Sequence, residues 1–229
     1  MTNKLYTAVG ILKQRKGENG MTFPYVELDN REFNLDMQEM VLWSVLNWRI
    51  LAADEIKALY EKKVNELGLD YHKTLEACQY HLMQSGLIAE GAGDTPADAL
   101  YSLLSNLYVV PISENFFIRL LAFFRMTFKD IPFSTTKRIL FRDKRSKSEQ
   151  QIMRLANQAT FSTAEIIKCI EINKTNFSND EEILDAIYHD EYTTSENIAY
   201  SVKSSPACRP VLTDVANLYL RQQIVFGGA

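Results

Sequence analysis

Three histidines and three cysteines hold most of what this chain offers for metal, acid–base or nucleophilic chemistry. Cys78 and His81 stand three residues apart, a spacing that on a helix brings a thiolate and an imidazole toward one ion. No second pair lies near them, and Cys78 also falls on an apolar stripe, which gives it a structural role. His189 sits in Tyr188-His189-Asp190-Glu191, among carboxylates able to raise its proton affinity, with no nucleophile placed beside it. No Walker loop, Gly-x-Gly-x-x-Gly fingerprint, Gly-x-Ser-x-Gly elbow or His-Glu-x-x-His occurs. The reading is a non-catalytic protein with no cofactor and no metal.

The other chemistry is charge. The whole chain carries −4 at pH 7, yet residues 119–154 hold ten Lys and Arg against three Asp and Glu. Lys137, Arg138, Arg142, Lys144, Arg145 and Lys147 could clamp a phosphate backbone, or form a solvated basic surface. The interleaved Ile139, Leu140 and Phe141 suggest packing against something, such as a partner subunit. Phe116, Phe117, Phe123, Phe124, Phe128 and Phe133 suit a core or a dimer interface, or the wall of a small-molecule pocket.

Composition sets the frame for these groups. A chain of 229 residues with 46% hydrophobic and 24% charged residues can bury a sizeable core. Nine Gly and six Pro argue against an all-β fold, which needs many turns. The expected class is mainly α, all-α in outline, with a small β component. No apolar run reaches the ~20 residues of a membrane span, and the first residues lack the apolar core of a signal peptide. Three widely spaced cysteines suit a reducing, cytoplasmic setting.

Elements follow from spacing. Residues 5–12 read as a strand, 13–20 as a polar turn, and Asp29-Asn30 as a tight turn between 23–28 and 31–35. Asp36 with Glu39 forms an Asp-x-x-Glu helix start, and that helix runs to about Trp48. Ile56, Leu59, Tyr60, Val64 and Leu67 stripe a second helix over 53–67, stopped by Gly68. A third helix starts at Asp70, turns Leu75, Cys78 and Leu82 inward, and closes at Gly86. Leu87-Ile88 then opens a strand, with a turn over 90–96. Residues 99–110 read either as a returning strand or as a helix followed by a short strand. Beyond Ser113 the pattern is helical: 114–128, a basic connector over 129–142, then 148–157. Helices starting at Ser162 and Ser178, then over 194–202 and 210–226, complete a bundle-like half. Two domains are drawn, 1–111 and 112–229.

Helix, helix, helix, strand and turn over residues 36–104, with Leu82, three variable residues and Gly86-Leu87-Ile88, resembles the winged helix-turn-helix domains of bacterial transcriptional regulators. The leucine would anchor the helix, the glycine would let the chain reverse, and Leu87-Ile88 would begin the wing. The resemblance implies that residues off the core stripe of the third helix face a major groove: Tyr71, His72, Lys73, Glu76, Gln79, Tyr80 and Met83. Gln79 would pair with adenine, Glu76 with cytosine, and Lys73 and Tyr80 with phosphates. The acidic character of this region, and the lack of Lys or Arg over 90–98, depart from a DNA-binding wing.

Two functions follow as expectations. The first is a cytoplasmic, homodimeric transcription regulator that binds double-stranded DNA, with the helical second half dimerising or sensing a signal. The second is a non-catalytic adaptor that docks a protein partner. Neither involves a membrane.

Overall fold

The computed structural model describes residues 2–16, 22–70, 72–112, 145–188 and 192–228. The chain opens with β1 (Asn3–Ala8), β2 (Ile11–Lys16), β3 (Thr22–Leu28) and β4 (Arg31–Phe33). Helices α1 (Met37–Leu46), α2 (Ala53–Leu67) and α3 (Leu75–Gln84) follow, then β5 (Ile88–Gly93), α4 (Pro96–Leu104) and β6 (Tyr108–Pro111). The later residues form α5 (Lys147–Gln158), α6 (Thr163–Glu171), α7 (Asp180–Ile187), α8 (Ser195–Val202), α9 (Cys208–Leu220) and β7 (Ile224–Gly227).

The mainly α expectation is corrected. Of the described residues helix accounts for 51% and strand for 20%, a mixed α/β fold with three small antiparallel sheets among them. Gly and Pro counts misled because they register hairpin turns. Two of the three sheets have no hairpin: β1 pairs with β5 and β6 with β7, each across intervening helices. The run Ile224-Val225-Phe226, expected as a helix tail, is β7. Too short to show a period, it is placed by its partner β6.

Local expectations are met unevenly. Asp29 and Asn30 both have positive φ, 50° and 62°, and Leu28 pairs with Arg31 across them, the geometry of a two-residue hairpin. The capping box at Asp36 and Glu39 forms, and Gly68 ends α2 in the left-handed region. Residues 5–12 are two strands, broken at Gly10, whose φ is 96°. α3 begins at Leu75 behind the cap Thr74, not at Asp70, and α7 is capped by Asn179, not Ser178. The turn expected over 90–96 is strand as far as Gly93, and α4 then β6 fill 96–111. The helix and connector expected over 114–142, together with His189, lie outside the described residues.

One apolar cluster runs from Tyr6 to Phe226 and crosses the boundary drawn at 111/112. Trp43, Tyr60, Leu82 and Leu104 from the first half and Ile152, Phe161, Tyr219 and Phe226 from the second are all fully buried. β7 returns toward the beginning of the chain: the Gly10 N–H donates to the Phe226 carbonyl at 2.8 Å, and the Trp48 indole N–H to the Ile224 carbonyl at 3.3 Å.

Candidate interaction surface around helix α3

The start of α3 is held by a buried amide. Gln38 on α1 accepts the backbone N–H groups of His72 and Lys73, both at 3.0 Å. Its amide nitrogen donates to the Tyr60 hydroxyl and the Lys73 carbonyl, both at 3.2 Å. Burial of Gln38 is tolerated because these partners satisfy it.

Beside it lies a compact ionic cluster. The Lys73 ammonium is 2.5 Å from Asp36 Oδ2 and 2.7 Å from Glu39 Oε1, and His81 Nδ1 is 2.9 Å from the same Glu39 oxygen. The Glu39 side chain is only 3% exposed, and a buried carboxylate needs partners of this kind. Hydrogen bonds to Asp36 and Glu39 hold the Lys73 ammonium well above the usual lysine range. Burial pushes the Asp36 carboxyl up, but the Glu39 backbone N–H and the Lys73 ammonium outweigh it and leave it below the ordinary value.

The residues expected to face DNA are therefore placed differently from one another. Lys73 is committed to two carboxylates. Gln79 is half-buried and turns to the Tyr6 hydroxyl. His72 and Glu76 are exposed, and Tyr80 is 67% exposed. Within Leu75–Gln84 no Lys or Arg occurs. Tyr71, Lys137, Arg138, Arg142 and Lys144 lie outside the described residues. Arg145 donates to Gln223 Oε1, and Lys147 is exposed on the first turn of α5. α5 packs on α9 and β6, whereas α3 packs on α1 and β5.

Cys78 and His81 do not converge on an ion: Cys78 is fully buried and His81 bonds Glu39. Among the described residues no group of three or more His, Cys, Asp or Glu could hold a metal. All three thiols are free and buried, and burial pushes each one up, Cys169 to about 12. Such thiols are poor nucleophiles.

Sequence reasoning missed a cleft of about 550 Å³ at the far end of α3. One wall is the β3–β4 hairpin, through Leu28, Asp29, Arg31 and Phe33. The other is the α3–β5 connection, Gln84, Ser85 and Gly86, and the floor includes Val9, Ile88 and Leu107. Gly86 has a φ of 72°, and the Leu87 N–H bonds back to the Leu82 carbonyl at 2.8 Å, so the chain reverses there against the hairpin. The Asp29-Asn30 turn was readable. Its meeting with Gly86 was not, because nothing local encodes a contact between residues so far apart.

Compared with protein-family models, with curated proteins and with solved structures, the chain matches none of them.

Proposed function

We propose that the chain is a non-catalytic interaction module that takes an extended segment of a partner protein into the cleft beside β4. The observation that carries this reading is the outer edge of β4, left unpaired among the described residues, whose Arg31 and Phe33 line the cleft. Among the described residues nothing pairs beyond β4 in the order β2-β3-β4. Because Leu28 and Arg31 form the hydrogen-bonded pair next to the turn, the Glu32 N–H and C=O point outward. An added strand would draw affinity from such groups and specificity from side-chain pockets. The apolar floor and the charged rim of Asp29 and Arg31 offer both. The three free thiols suit a reducing compartment, and we place the protein in the cytoplasm.

Recognition of duplex DNA by α3 has less support, since Lys73 is occupied and Glu76 faces outward. The charge of residues 119–154 is what favours DNA.

A photo-crosslinker at position 31 captures the partner, which is then purified and titrated. We expect slower amide exchange at Glu32 on binding, and at least about tenfold weaker binding for Glu32→Pro, which removes that donor. Unchanged affinity would overturn the strand-addition reading. A parallel titration with random duplex DNA at about 50 and 200 mM salt should show no binding. Tight, steeply salt-dependent binding that is lost on reversing Arg142, Lys144, Arg145 and Lys147 would establish the DNA reading instead.

A further inference from the structure

A second cleft, of about 700 Å³, lies between α4 and α9, with Lys203 just past α8 at its side, and shares no lining residue with the cleft beside β4. Its walls are largely apolar, from Ala97, Leu100, Pro210 and Leu212. Four charged groups stand around them, Asp98, Lys203, Arg209 and Asp214, and three are occupied. Asp98 accepts from the Thr95 hydroxyl at 2.7 Å and lies 3.3 Å from the Lys203 ammonium. That ammonium also sits 5.7 Å from the centre of the Tyr101 ring. Asp214 accepts from the Ser148 hydroxyl. Among the described residues the Arg209 guanidinium alone of the four has no hydrogen bond or ion pair, and Arg209 is exposed.

We infer that this cleft binds a small organic carboxylate with an apolar body. The chemistry selects the sign of the ligand. A cation would meet two carboxylates that already accept hydrogen bonds, whereas an anion meets a guanidinium with all its donors unused. The planar fork of Arg209 matches a carboxylate in two-point geometry. The apolar walls take a hydrocarbon body out of water, and Lys203, one residue beyond the end of α8, is balanced by Asp98, which leaves Arg209 as the group that recognises the carboxylate.

Sodium octanoate serves as the probe, titrated into the full chain by calorimetry, with 1-octanol as the neutral control. The expected result is one saturable octanoate site, with octanol weaker by about tenfold or more. Arg209→Gln should weaken octanoate by a similar factor, while Arg209→Lys, which keeps the charge but not the fork, should lose less. Arg209 is exposed, and circular dichroism checks that both variants keep the fold. In amide spectra, octanoate should shift Leu100 and Leu212 and leave Arg31 and Phe33 unmoved. Equal binding of octanol, unchanged affinity in Arg209→Gln, shifts centred on β4, or no saturable octanoate site would each overturn the inference.

Discussion

The Tyr219 hydroxyl shows how much one buried polar atom can hold together. It accepts from the Thr7 hydroxyl and from the Trp48 backbone N–H, both at 2.9 Å, and lies within 3.4 Å of the Ala8 and Leu46 carbonyls. Burial pushes it well above the usual tyrosine range, so it stays protonated. Tyr219→Phe leaves the Trp48 N–H without that acceptor, while the Thr7 hydroxyl keeps the Arg49 carbonyl at 2.9 Å, and we expect a loss of about 1–3 kcal/mol in urea unfolding. Asp36 gives a pH signature. Its carboxyl is held below the unfolded value of ~3.9. Its contribution is complete above that pH and disappears as the pH falls through the lower, folded-state value. Thermal melts below about pH 4 should therefore drop less steeply in Asp36→Asn, which keeps a capping oxygen but cannot titrate. An equal drop in both proteins would remove Asp36 from the acid response.

At the scale of elements, β5 and α4 depend on two glycines. A Cβ at Gly91 would lie 2.3 Å from the Leu103 nitrogen and 2.4 Å from the Ala99 carbonyl oxygen. Both are backbone atoms, so α4 must move. Gly91→Ala should lose about 1–3 kcal/mol or more, measured by chemical denaturation. The β3–β4 turn offers a milder test. Asn30, at φ 62°, should accept Gly without loss, while Val there should cost roughly 1–2 kcal/mol. These elements also show what the sequence makes legible. The Asp29-Asn30 turn, the Asp36 capping box and the Gly68 and Gly86 stops are short-range devices, and each was readable from a few residues. Gly91 and Gly93 gave the opposite impression. They looked like a loose turn, because the helix that requires their bareness begins only after them, at Pro96, and folds back over the strand.

For the whole molecule, the decisive contacts join the ends of the chain, and here the sequence was least informative. The apolar run of β7 carries no mark that it pairs with β6 or that its carbonyls accept from Gly10 and Trp48. The cleft beside β4 was illegible for the same reason. The ion pairs that occupy Lys73 were hidden too, since Asp36 and Glu39 read only as caps. Deleting residues 224–229 should unfold the first half together with the second, seen as loss of the cooperative thermal transition rather than loss of one of two. A surviving transition with native Trp43 fluorescence would show that the first half stands alone.

The return of the last strand also has a consequence during synthesis. The Trp48 indole waits for a carbonyl 176 residues later in the chain, roughly 10–35 seconds at ordinary ribosomal speed. For that interval the nascent protein shows chaperones and proteases the apolar core residues that β7 will finally cover. Messages cut short before that strand should yield products cleared quickly by the cell.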